Sequence, residues 1–344
     1  MSRVTGLSGD YSSLLEREEW FWANDRFARS PDFRAFSENP QADISFQDRT
    51  CELTMRGKYY NYIFETVSSK TGASCLELGC GSAWLSIELA RRGVAVTGID
   101  LCQPLIEQAS NFVRNLREKE PGTAPTEFRR ADLNAVELPA DAFDYVVAWD
   151  ALHHVTEIRR LMEQVWASLK EGGRIIVCDH VRPTPRINRA LAIVGYLLMP
   201  TDLRYSRKLL VGLRCLRYLV DRDTETLRAY LRRYPEPIRR YVLRLFGISL
   251  SKEDSAWTDP SPCEDVSASE IVEAIRCRFH VERKEEILGF VYPHLVARVR
   301  SPWRSWRRAM IRFLRLLDGL TLRLRLCTAE FVFVVGVKRS VSPE

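Results

Sequence analysis

Between residues 73 and 179 short apolar runs of β type alternate with longer amphipathic ones. The periodicity predicts strands over 73–78, 94–99, 126–130, 143–149 and 174–178, with helices over 83–92, 103–118 and 157–170 between them. Gly93, Pro121-Gly122, Pro139 and Gly172-Gly173 mark the turns. Such alternation predicts an α/β fold, a mostly parallel sheet with helices on both faces and a ligand crevice at the carboxyl ends of its strands. A helical segment over 51–69 leads into this core, after a stretch rich in aromatic and acidic residues that includes Trp20, Phe21 and Trp22.

Beyond residue 181 the pattern changes. Residues 182–260 read as Leu-, Arg- and Tyr-rich helices broken by Pro183, Pro185, Pro200, Pro235 and Pro237, an inserted helical subdomain. The core pattern then returns with a helix over 271–278 capped by Ser267 or Ser269, a β run over 286–299, a basic helix over 303–327 and a strand over 331–337. The expected organisation is therefore an N-terminal helical extension or cap (1–50), the core (51–181), the inserted basic helical subdomain (182–260) and a return to the core (261–344).

Composition is ordinary for a globular chain of 344 residues, with 46% hydrophobic and 28% charged positions. Nine cysteines without a Cys-x-x-Cys pair read as buried thiols of a reducing cytosol rather than a disulfide frame or a zinc site, so no metal is expected. The first twenty residues lack the apolar core of a signal peptide. Between Arg189 and Asp202 the apolar run is too short to span a bilayer. A cytoplasmic location is expected. Charge changes the picture when it is split: residues 1–180 carry 20 bases against 27 acids, and residues 181–344 carry 31 against 18. A basic half suggests an anionic partner.

The chemistry concentrates at the first strand. Cys75-Leu76-Glu77-Leu78-Gly79-Cys80-Gly81-Ser82-Ala83-Trp84 runs from strand to helix, with glycines where the backbone must turn sharply and let a ligand approach main-chain N–H groups. Asp100 follows the second strand, where a ribose diol would lie. A dinucleotide fingerprint wants a third glycine where this chain has Trp84. Glu77 repels a pyrophosphate but suits an ammonium, the charge logic of a sulfonium amino-acid cofactor.

Taken in order, Glu77-Leu78-Gly79-Cys80-Gly81, Asp100, Ala131-Asp132-Leu133, Phe143-Asp144-Tyr145-Val146-Val147 and Leu169-Lys170-Glu171-Gly172-Gly173-Arg174 resemble the motifs of class I S-adenosylmethionine-dependent methyltransferases of small-molecule type. That resemblance implies a Rossmann-like sheet of seven strands. It implies that Glu77, Gly79 and Gly81 hold the methionine end of S-adenosylmethionine, Asp100 and Leu101 the ribose and adenine, and Asp132 and Leu133 the adenine edge, with Asp150 also at the cofactor. Ala83 departs from the third glycine of many members, but alanine is small.

After the fourth strand comes Trp149-Asp150-Ala151-Leu152-His153-His154, at the crevice where a transferable methyl would point. His153 or His154 is a candidate general base, and Asp179-His180 on the same rim offers a second. Equally ordinary roles exist for these residues, capping the next helix or packing beneath it. The Asn/Asp-Pro-Pro-aromatic signature of DNA- and glutamine-methylating enzymes is absent after this strand, and Pro262-Cys263 lies far downstream, so nucleic acid is not the expected substrate.

Two segments, 206–220 and 303–327, interleave arginines with leucines and aromatics at helical spacing. They suit either a lid packed on the protein or a foot in a headgroup layer. The expectation is methyl transfer to a small, lipophilic or lipid-linked acceptor, O-methylation ahead of C-methylation, with peripheral membrane association. The alternatives are an NAD-dependent oxidoreductase and an inactive methyltransferase-like binding module.

Overall fold

A computed structural model of the chain describes residues 8–20, 49–180, 186–201, 204–221, 223–234, 266–292 and 303–339, with a few single positions besides. Seven strands form one sheet: β1 (Ser74–Leu78), β2 (Ala95–Asp100), β3 (Thr126–Arg130), β4 (Phe143–Trp149), β5 (Leu169–His180), β6 (His280–Ile287) and β7 (Phe331–Val337). Their spatial order is β3-β2-β1-β4-β5-β7-β6. The first five strands pair in parallel, and β7 is antiparallel to both β5 and β6. This is the seven-stranded Rossmann-like sheet expected.

Ten α-helices are described: α1 (Ser8–Trp20), α2 (Arg49–Val67), α3 (Trp84–Ala90), α4 (Gln103–Lys119), α5 (Ile158–Ser168), α6 (Arg186–Leu198), α7 (Tyr205–Asp221), α8 (Thr224–Leu231), α9 (Ala268–Arg276) and α10 (Arg304–Arg323). Side chains alternate across the strands and build two cores. One face carries Tyr145, Val147, Ile176, Phe333 and Val335 against α2, α3 and residues of α6, α7, α8 and α10. The other carries Leu76, Val146, Val177 and Val334 against α5 and α9. Burial on both faces explains why β4 and β7 read as unbroken apolar runs.

Three elements have limits four or more residues away from the sequence reading. The β run expected over 286–299 lies at His280–Ile287 instead, a strand of alternately exposed charges on the sheet edge that no search for an apolar run finds. The apolar residues after it, Leu288 to Tyr292, are buried in a turn whose Gly289 and Val291 N–H groups donate to the Asp318 carboxylate at 2.8 and 3.1 Å. Strand β5 begins at Leu169, which pairs with Phe143, so the preceding helix stops at Ser168 and Gly172 takes φ 73° inside a register shift. Finally, α10 ends at Arg323 rather than continuing to 327. Ser267 caps α9 in a capping box with Glu270.

Candidate active site

At the carboxyl end of β1 the backbone makes a left-handed run, with φ 67° at Gly79, 49° at Gly81 and 59° at Ala83. A Cβ on Gly79 would sit 2.5 Å from the Cβ of Ala151, so glycine lets the loop after β1 touch the loop after β4. Gly81 faces open space. Ala83 adopts the left-handed conformation as the residue before α3, at a strain of about 1 to 2 kcal/mol that glycine would avoid. Its small size is therefore not the whole account of that departure.

Two acids frame this loop. Asp100 accepts from Gly81 N at 2.8 Å and from Cys102 N at 2.9 Å, fixing the glycine loop to the end of β2. Burial raises its carboxyl pKa, opposed by these N–H groups. Glu77 is buried and accepts from the Ser86 N–H at 2.9 Å and from the Ser86 hydroxyl. Burial, opposed by Ser86 and reinforced by Asp100, pushes its pKa up to about 8. Asp132 accepts from Asn134 N at 2.9 Å and from the Tyr11 hydroxyl at 2.7 Å, while Leu101 and Leu133 are half-buried beside these acids.

Tyr11 belongs to α1, which lies across the carboxyl ends of the strands. Glu19 accepts from Gln103 N at 3.0 Å and from Arg130 at 2.7 Å, and Glu18 reaches His154 Nδ1 at 3.3 Å. None of these roles was legible in advance. The acidic cluster Glu16, Glu18 and Glu19 was visible, but no pattern named its partners.

Beyond β4 and β5 lies a histidine cluster. His153 is buried, and its Nδ1 lies 2.6 Å from the buried Asp179 carboxylate, which also accepts from Leu152 N at 2.7 Å and His180 N at 2.7 Å. Burial raises the Asp179 pKa, but the adjoining His153 and then His180 outweigh it and hold the carboxyl down near 2. The His153 ring is 4.0 Å from that of His154 and 5.1 Å from that of His180. His180 packs on Phe331 at 4.1 Å, and its Nε2 lies 3.6 Å from Asp150 Oδ1. Asp150 Oδ2 pairs with Arg56 at 2.5 Å, and the Arg56 guanidinium lies over Trp149, Tyr292 and Phe331 at 4.8, 5.1 and 5.4 Å. The structure thus places Asp150 between Arg56 and His180, and it brings in Arg56, which sequence reading missed because a lone arginine in a helix carries no signal.

The residues present fit a nucleoside bearing an amino acid. Gly81 opens onto free space, and two buried oxygens on the crevice loops, Ser82 Oγ and Asp150 Oδ1, have no hydrogen-bond partner among the described residues. Two carboxyl groups, those of Glu77 and Asp100, flank the loop, and burial raises the pKa of both. Among the described residues no group of His, Cys, Asp and Glu is arranged to hold a metal ion.

The chain is similar in sequence to known methyltransferases. A family described as "Methyltransferase domain" matches residues 76–177. An uncharacterised methyltransferase of Mycobacterium bovis is 34% identical over 116 residues, 33% of this chain and 55% of that protein. The ubiquinone biosynthesis O-methyltransferase of Coxiella burnetii is 30% identical over 114 residues, 33% of this chain and 46% of that protein. The chain spans about half the length of these relatives. Among solved structures, a geranyl diphosphate methyltransferase in complex with GPP and sinefungin superposes with TM-score 0.51 at 11% identity, covering 94% of this chain and 99% of the other, which shows a shared fold.

Proposed function

We propose that this chain, whose residues 76–177 constitute a class I S-adenosylmethionine-dependent methyltransferase domain, transfers the methyl group of S-adenosylmethionine to a small organic acceptor. The observation that carries this reading is the acidic, glycine-hinged loop at the end of β1, tied by Gly81 N to Asp100. S-adenosylmethionine supplies an electrophilic methyl on a sulfonium. In this reading Glu77 gives up its proton and balances the ammonium of the bound cofactor, Asp100 and Leu101 take the ribose and adenine, and Asp132 and Leu133 the adenine edge. Helix α1 reaches over the ends of β2 and β3, where Tyr11 donates to Asp132.

His180 is the proposed base. It faces the aromatic wall of Phe331 and Tyr292, while Asp150 beside its Nε2 stabilises the imidazolium that forms when an acceptor hydroxyl gives up its proton. Arg56 balances the charge of Asp150. His153, fixed by Asp179, positions the neighbouring rings, and His154 lies toward the cofactor beside Glu18. A candidate base beside an aromatic wall supports O-methylation of a lipophilic or lipid-linked molecule, met at a membrane surface.

Calorimetric titration tests the cofactor: S-adenosylhomocysteine binds and NADH does not, and the reverse result removes the reading. Labelled S-adenosylmethionine incubated with a lipid extract then reports the acceptor by mass. His180→Gln abolishes the rise of kcat with pH that deprotonation of the base produces. An unchanged profile moves the base elsewhere.

A further inference from the structure

Helix α10 is packed by one stripe and leaves another bare. Ile311, Leu314, Asp318 and Thr321 are buried, and Arg315 donates to the carbonyls of Thr54 and Met55 on α2. On a different side, Trp306, Phe313, Leu316 and Leu320 recur at spacings of seven, three and four, and are 57, 55, 72 and 53% exposed. Trp303 and Leu324 extend that stripe at either end and are exposed too. Arg308, Arg312 and Arg323, all exposed, run along its flank. The one acid of the helix, Asp318, points inward to the Gly289–Val291 turn. An apolar stripe of this length with a purely basic flank is not what a water-facing helix needs.

We propose that this face of α10 is a docking surface for an anionic lipid bilayer, with the stripe in the acyl boundary and the arginines on lipid phosphates. Charge selects this occupant. A second copy docked stripe to stripe would bring arginine flanks together, whereas anionic headgroups complement them. No helix among the described residues is long and apolar enough to cross a membrane, so the contact is peripheral. Helices α6 and α7 add exposed Val194, Leu198, Leu209, Leu210 and Leu213 with exposed Arg214 and Arg217. Docking also has a use. Through Asp318, α10 holds the turn that leads into Tyr292, and Tyr292 packs on Phe331 and Arg56 at the proposed acceptor wall. The surface itself stands whether or not a methyl group is transferred.

The test is flotation of the full chain with vesicles of phosphatidylcholine alone or mixed with phosphatidylglycerol. The chain floats with the anionic vesicles, and added salt releases it. Replacing Arg308, Arg312 and Arg323 by Gln weakens partitioning on the order of 100-fold. Leu316→Ser with Leu320→Ser weakens it on the order of 10-fold or more. These positions are exposed, so both variants keep the thermal transition of the parent; should the leucine variant lose it, the arginine variant decides alone. No flotation, equal partitioning to neutral and anionic vesicles, or light scattering that shows a dimer dissolved by the leucine variant would each overturn the proposal. Methyl transfer is not read in this assay, so its failure leaves the catalytic reading intact.

Discussion

Replacing Glu77 by Gln removes a titratable proton while keeping an oxygen for Ser86 to donate to, which isolates the electrostatics of the site. In the free protein the Glu77 carboxyl holds its proton to about 8 against an ordinary 4.5, chiefly because it is buried. Above pH 4.5 the unfolded chain releases this proton and the folded chain keeps it, so stability is full below about 4.5 and declines until about 8. The difference between these values corresponds to about 5 kcal/mol at the alkaline end, an upper bound because local relaxation softens it. Glu77→Gln is spared this loss. Its melting temperature should equal that of the parent near about pH 4 and exceed it by several degrees near about pH 9. Ligand reverses the comparison. An ammonium beside Glu77 favours the carboxylate, so S-adenosylhomocysteine binding to the parent should release a proton at neutral pH, and binding to the Gln variant should release none and be weaker by about 1.5 to 3 kcal/mol. Thermal shift across pH, and calorimetry in two buffers of different ionisation enthalpy, measure both effects. Parallel melting curves with equal proton release in the two proteins would refute the argument that a buried carboxylate is matched to a cationic ligand.

Other substitutions probe neighbouring parts of the site. Asp100→Ala should weaken S-adenosylhomocysteine by roughly 1.5 to 3 kcal/mol by calorimetry, through loss of a charge-assisted hydrogen bond and of the anchor on Gly81 N. Asp179→Asn leaves His153 without its buried carboxylate and should destabilise the fold by about 3 kcal/mol, read as a lower urea midpoint at neutral pH. Because the Asp179 pKa is depressed to about 2, that contribution is present above its usual 3.8 and fades only as pH falls through 2, so the parent and the Asn variant should converge in strong acid. Tyr11→Phe removes the hydroxyl held by Asp132 and should speed dissociation of S-adenosylhomocysteine several-fold in stopped flow, with little change in melting temperature.

Regular parts of the core were legible because their physics is local. Residues 126–130, 143–149 and 331–337 form strands at the limits that periodicity predicts; β4 and β7 are buried along their whole length and almost wholly apolar, while β3, a partly exposed edge strand, is marked by the turn at Pro121-Gly122 before it. Strand β6 was displaced because its charges, Glu282 to Glu286, conceal a strand from any apolar search. At the site, Gly79, Gly81 and Asp100 were legible from spacing, since a turn and a strand end fix where they lie. Arg56, Tyr11, Glu18 and Glu19 were not, because each acts across more than eighty residues on a partner that only the folded chain brings near. Asp150 shows the same limit: its position after β4 was plain, but not that Arg56 and His180 would share it.

Edge strand β6 has a consequence for how molecules of this protein meet. Its exposed margin alternates Glu282, Lys284 and Glu286 with half-buried neighbours, and β3 at the opposite margin ends in Arg129 and Arg130. A strand so decorated is a poor template for another chain's backbone, because docking would strand its charges against a like-patterned neighbour. Edge-to-edge extension of the seven-stranded sheet into a neighbouring molecule is thereby disfavoured, even where molecules are crowded together.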